Sequence, residues 1–240
     1  MKVFTTITGH LGLLFSTVVF ASLVLVFALV DKSGRIWWPF GRLWGRTIYW
    51  GSFSTIRALG FENLDWDQPA ILMANHESYL DVPALIASCP VPLRFVARKE
   101  VFKTPIMGQA MWVTGQIPID RTDRKQAIDS LSEAARRIAN GRTVLVFPEG
   151  TRSANGELGS FKKGGFMLAL QSGAPIIPVG LSGTRDLVPR GSWMFRSARV
   201  GVVVGKPIET RELTMEQRDL LIERVRHEIC VAREMASTLR

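Results

Sequence analysis

The hydrophobic and polar positions of this chain divide it into two unlike parts. Residues 11–30 form a run of 20 positions without a charge, and only Gly12, Ser16, Thr17 and Ser22 interrupt its apolar character. A helix of that length matches a hydrocarbon core of roughly 30 Å. The apolar region of a cleavable signal peptide is shorter, about 7–15 residues, so the run reads as an uncleaved membrane anchor. Residues 31–34 break it. Trp37, Trp38, Phe40, Trp44, Tyr49, Trp50 and Phe53 then alternate with Arg35, Arg42, Arg46 and Arg57. Rings with one wet edge favour the headgroup zone, and arginine is drawn to anionic lipid. Pro39 and Gly41 predict a short first piece followed by a second helix from about Phe40. The basic residues Lys32, Arg35, Arg42 and Arg46 after the apolar run place the remainder on the cytoplasmic face. A full span and a helical hairpin dipping into one leaflet share this composition.

From about Phe61 the pattern changes to short apolar runs alternating with helical periodicity. Residues 70–74, 93–97, 143–147, 175–181 and 199–204 read as strands. The run 143–147 has no polar interior position, which predicts burial on both faces. Ile128, Leu131, Ala135 and Ile138 recur at helical spacing, and Asn140-Gly141 stops that helix. Thr214 and Gln217 form a capping-box pattern ahead of a long helix carrying Leu221, Val225 and Ile229 on one stripe. Alternating strands and helices predict an α/β fold: a largely parallel, mixed sheet flanked by helices, with an N-terminal hydrophobic, membrane-binding helical segment. The domains read as 1–60, membrane-anchoring helices, and 61–240, an α/β catalytic domain.

Composition narrows the partners. At 240 residues and 47% hydrophobic, the chain can bury one good-sized core. A formal charge of +9 attracts phosphates, anionic headgroups or nucleic acid. Zinc-finger spacing, a basic heptad region and an RNP-type strand are all missing, so nucleic acid is set aside. The two cysteines, Cys89 and Cys230, sit in apolar contexts and suit a reducing compartment.

The chemistry-bearing residues fall in three ordered motifs. The first is Asn75-His76-Glu77-Ser78-Tyr79-Leu80-Asp81. On one continuous helix, positions 76 and 81 would lie about 140° apart. They meet only if His76 is in a loop and Asp81 in the first helical turn. Ser78 as N-cap, with Pro83 in the turn beyond, produces that arrangement. Asp81 could then accept from one ring nitrogen and leave the other to take a proton from a hydroxyl. Ser78-x-x-Asp81 is equally a capping-box pattern, in which Asp81 would only cap a helix. Leu80 stands where a zinc motif needs a second histidine, so no metal site is expected. Neither a G-x-S-x-G elbow nor a cysteine with an activating basic neighbour is present. Direct attack by a substrate hydroxyl, without an acyl-enzyme, fits best.

The second motif, Gly115-Gln116-Ile117-Pro118-Ile119-Asp120-Arg121, ends on an arginine able to grip a phosphate bidentately. The third, Phe147-Pro148-Glu149-Gly150-Thr151-Arg152-Ser153, follows the buried strand. Sites gather beyond the carboxyl ends of parallel strands, and this loop has the glycine, hydroxyls and arginine of an anion cradle. Each has an ordinary alternative, a surface Asp–Arg pair or a plain turn.

The three motifs in this order, with Pro178 in the segment Ile176-Ile177-Pro178-Val179, resemble the glycerolipid acyltransferases, in particular the 1-acylglycerol-3-phosphate acyltransferases. The resemblance covers about residues 70–180. It implies that His76 deprotonates the free 2-hydroxyl of lysophosphatidic acid and that Asp81 orients His76. The alkoxide then attacks an acyl thioester, releasing coenzyme A or acyl carrier protein, with no bound cofactor. It implies that Arg121 and Arg152 hold the acceptor phosphate, and that Glu149, Gly150 and Thr151 shape that pocket. Arg98, with Lys99 beside it, occupies the family's further phosphate-contacting position. An apolar tunnel for the acyl chain and membrane phospholipids as surroundings are also implied. Two other readings stay open: a different acceptor (glycerol-3-phosphate, another lysophospholipid or a lyso-aminolipid), and a non-catalytic lipid-binding protein.

Overall fold

The first helix, α1 (Lys2–Val30), starts well ahead of the uncharged run. It belongs to a computed structural model that describes residues 2–119, 124–189 and 191–240. Helix α2 (Trp38–Gly51) carries Pro39 in its first turn, where a missing N–H leaves no bond unmade. One helix from Trp38 therefore replaces the expected short piece and later start. The Trp37 and Trp38 indoles donate to Asp31 O and Cys89 O at 2.9 and 3.1 Å, pinning the α1–α2 turn to the body.

Seven strands pair among the described residues, in the order β1-β7-β6-β2-β5-β3-β4. They are β1 (Thr55–Leu59), β2 (Ile71–Ala74), β3 (Leu93–Arg98), β4 (Ile117–Ile119), β5 (Thr143–Val146), β6 (Ile176–Ser182) and β7 (Arg199–Val204). Every neighbouring pair is parallel except β6–β7, so the sheet is mixed and largely parallel, as its alternating pattern predicts. Strand β1 has no counterpart among the expected strands and lies ahead of residue 60. It is an edge strand exposed along most of its length, so its sequence carries little apolar signal.

Alternation on the central strands builds two cores. Leu72, Ala74, Leu145 and Val179 pack beneath α1, α2 and α3 (Asp81–Ser88). Ile71, Met73, Val144 and Ile176 face α5 (Arg124–Ala139), α6 (Gly164–Ser172) and α8 (Arg218–Thr238). Each fully buried Leu or Ile contributes roughly 2 kcal/mol. Shorter helices α4 (Met107–Val113) and α7 (Thr184–Leu187) follow β3 and β6. Thr214 and Gln217 form the expected capping box at the turn that opens into α8. The stripe Leu221, Val225, Ile229 continues through Ala232 and Ala236. This helix lies on the sheet backbone itself: a Cβ at Gly180 would run into Ala232 and Arg233, and one at Gly201 into Ala236.

Candidate active site

The carboxyl ends of β2, β5 and β6 converge; the loops leaving β2 and β5 hold the first and third motifs, and β6 leads to Thr184. After β2, residues 75–80 form a tight loop and α3 begins at Asp81. Ser78 is not its N-cap: the Ser78 hydroxyl accepts from Leu80 N at 3.3 Å and the helix starts three residues on. The Asp81 carboxylate does the organising. Its Oδ2 accepts from Glu77 N at 2.7 Å, Ser78 N at 2.9 Å and His76 Nδ1 at 2.7 Å. Its Oδ1 accepts from the Thr184 hydroxyl at the start of α7. One fully buried carboxylate thus holds both the backbone of the loop ahead of α3 and the imidazole.

This geometry assigns the histidine tautomer. Two backbone N–H groups point at Oδ2, so that oxygen carries no proton and His76 Nδ1 must donate. The Nε2 lone pair remains as the basic site, and the side chain is 13% exposed. The imidazole stacks on Phe147 at 4.0 Å between centroids and 19° between planes. Asn75 pins the loop to β6, donating to Leu181 O at 3.0 Å and accepting from Leu181 N at 2.7 Å.

The loop after β5 encloses His76 from both sides. Glu149 Oε1 accepts from His76 N and Oε2 from Gly159 N, both at 2.8 Å. Ser153 N donates to His76 O at 2.7 Å. Glu149 is buried and both of its oxygens meet backbone amides, so it braces the histidine loop. Gly150 closes a turn on Phe147 O at 3.0 Å with a φ of +70°, a conformation that disfavours any Cβ. Thr151 is exposed beyond it. Glu77 is buried beside Arg233, which donates to it at 2.9 Å, and burial pushes the Glu77 carboxyl up to about 7 against the pull of that guanidinium.

An acyltransferase family profile matches residues 55–182, the stretch from β1 through β6. A 1-acyl-sn-glycerol-3-phosphate acyltransferase of Limnanthes alba is 35% identical over 199 residues, 82% of this chain and 70% of that protein. The chain belongs to the acyltransferase family. The chloroplastic 1-acyl-sn-glycerol-3-phosphate acyltransferase BAT2 of Brassica napus is 33% identical over 212 residues. That match takes in 87% of this chain, which spans 60% of the Brassica napus protein's length. The crystal structure of the 1-acyl-sn-glycerophosphate (LPA) acyltransferase PlsC from Thermotoga maritima superposes with a TM-score of 0.83. It is 26% identical, over 99% of this chain and 95% of the other.

In this family member the cationic residues lie around the same edge of the sheet. The Arg152 guanidinium stands over the Tyr79 ring at 3.5 Å, a cation–π contact at the mouth of the histidine loop. Arg98 ends β3 opposite Ile119 in the β3–β4 register. It is exposed and lies 3.4 Å from Glu100. Lys99 follows, also exposed. Arg121 lies outside the described residues. Thr184 and Arg233 lie outside the three motifs; they act across 103 and 156 positions, and no local pattern marks them. Asn75 and Phe147 lie within motifs, but their contacts, with Leu181 and with the imidazole, come from across the sheet.

Proposed function

We propose that this acyltransferase moves a fatty acyl group from an acyl thioester to the sn-2 hydroxyl of 1-acylglycerol-3-phosphate, making phosphatidic acid. The observation that carries this reading is the His76–Asp81 pair, with Nδ1–H committed to a buried carboxylate and Nε2 left basic. His76 Nε2 takes the hydroxyl proton as the oxygen attacks the thioester carbonyl. A C–O bond forms, the C–S bond breaks, and the imidazolium returns the proton to the departing thiolate of coenzyme A or acyl carrier protein. Asp81 steadies the imidazolium charge. Arg152 with Arg121, and Arg98 with Lys99, supply the cations for the acceptor phosphate. No cofactor is assigned to the reaction.

An apolar cavity of 60 Å³ lies between α1, α2 and α4, lined by Ala21, Val24, Trp38, Phe95 and Met111; it is smaller than a fatty acyl chain and shares no residue with the histidine loop. Membrane phospholipids surround α1 in this reading. The helix is long and apolar enough to cross a membrane, and exposes Phe4, Ile7, Leu11, Leu14 and Phe15. It is held to the body at both ends: Thr6 donates to Phe195 O at 3.3 Å, and Arg142 donates to Lys32 O and Ser33 O at 2.7 and 2.9 Å. Those ties favour a helix lying in one leaflet over a full span. The basic residues after α1 favour the cytoplasmic face.

The test is acyl transfer from an acyl thioester to lysophosphatidic acid, with wild type and His76→Ala in liposomes. Product from wild type alone is expected. Retained turnover in His76→Ala would remove the base; no product from wild type, with other lyso-acceptors used instead, would change the acceptor.

A further inference from the structure

The C-terminal helix reaches the catalytic loops through two arginines: Arg226 donates to Leu158 O and Gly159 O, and Arg233 alone also reaches the segment that carries the base. Arg233 Nε donates to Glu77 Oε1 at 2.9 Å, and its Nη2 donates to Gly156 O. Glu77 follows the base in sequence. Gly156 belongs to the loop whose Glu149 and Ser153 hold the backbone of His76 on either side. Arg233 therefore joins the two segments that enclose the imidazole. The packing of α8 does not call for an arginine here, because Leu221, Val225, Ile229, Ala232 and Ala236 fill the buried stripe. It reaches the site because Gly180 and Gly201 let the helix backbone lie directly on β6 and β7.

We infer that Arg233 is a positioning residue for acyl transfer: by tying Glu77 to Gly156 it sets the direction in which His76 Nε2 points. The inference rests on the function proposed above. Glu77 makes this tie sensitive to pH. Arg233 from α8 and Arg185 from α7 favour its charged form, while Asp81 from α3 opposes it. The Asn75 amide donates to it at 3.3 Å. Burial outweighs these, so its carboxyl titrates at about 7 and the charge attraction for Arg233 fades below that value.

The experiment uses the full chain in liposomes, measuring kcat and KM for lysophosphatidic acid from well below to well above the Glu77 titration, with thermal melts alongside. Arg233→Met should lower kcat by roughly tenfold, as a small misplacement of a base does, with KM near wild type. Its acid limb should move to higher pH, because Glu77 has lost its counter-charge. Arg233→Lys, which still reaches Glu77 with one cation, should regain part of kcat. Glu77→Gln should flatten the profile around the Glu77 titration. The double variant Glu77→Gln/Arg233→Met leaves no buried charge unpaired, so its melting temperature should recover while kcat stays low. Recovery of kcat together with the melting temperature would make the bridge a stability element only and overturn the inference. So would an Arg233→Met enzyme with wild-type kcat and pH profile. An inactive wild type would instead count against the proposed function.

Discussion

Thr184 donates its hydroxyl to Asp81 Oδ1 across 103 residues of chain, while the other oxygen of the same carboxylate receives the His76 ring and two backbone amides. The carboxylate is fully buried, so each of these donors offsets part of the cost of holding a charge away from water. Thr184→Val keeps the shape and deletes one donor. A stability loss of about 1–3 kcal/mol is expected, with a lower kcat because Asp81 gains freedom to rotate. Thr184→Ser should restore both. Denaturant unfolding and the acyl-transfer assay check this; a Val variant with full activity would show that the hydroxyl leaves Asp81 unaffected.

Glu149→Gln tests the brace. Both Glu149 oxygens accept backbone N–H bonds, one from His76 and one from Gly159. A glutamine turns one acceptor into a donor facing a donor. Roughly 1–3 kcal/mol should be lost, and kcat should fall more than the acceptor KM rises. A change confined to the acceptor KM would put Glu149 in the substrate pocket instead.

Gly180→Ala should be costly for a reason unrelated to chemistry. The added methyl meets the Ala232–Arg233 backbone, and overpacking of this kind costs typically 1–3 kcal/mol. Because α8 must shift, Arg233 should retreat from Glu77, and activity should drop along with the melting temperature. An alanine variant with wild-type kcat would mean that α8 can move without disturbing the histidine loop.

The Glu77 carboxyl predicts a pH dependence of stability. Its folded value, about 7, lies above the ordinary 4.5. Between those values the folded chain binds more protons at this site than the unfolded chain, so stability from this group falls as pH rises through the window. Wild type should therefore lose stability relative to Glu77→Gln from pH 4.5 to 7, by an amount on the order of 3 kcal/mol. Parallel unfolding free energies for the two proteins across that range would contradict the burial argument.

Local signals made much of this molecule legible. Residues five apart in a loop-to-helix junction can meet by local geometry alone, so the spacing of His76 and Asp81 permits the pair that the structure brings to 2.7 Å. The run 143–147 announced a buried strand, and Thr214 and Gln217 announced the turn into α8. Ser78 misled because a turn at residues 79–80 intervenes, so α3 starts at Asp81 with Leu80 at its N-cap position. Strand β1 was silent because an exposed edge needs no apolar alternation.

By itself the sequence determined what depends on neighbours within a few positions: the long apolar helix, the alternating α/β pattern, the histidine–aspartate spacing and the glycine turn after β5. Tertiary structure alone decided which strands lie side by side, and that choice brings Thr184 to Asp81, Glu149 to the His76 amide, Phe147 to the imidazole and Arg233 to Glu77. The physical reason is range. Backbone torsions and caps are set by adjacent residues, whereas a buried carboxylate takes its donors from whichever elements the packed sheet places beside it.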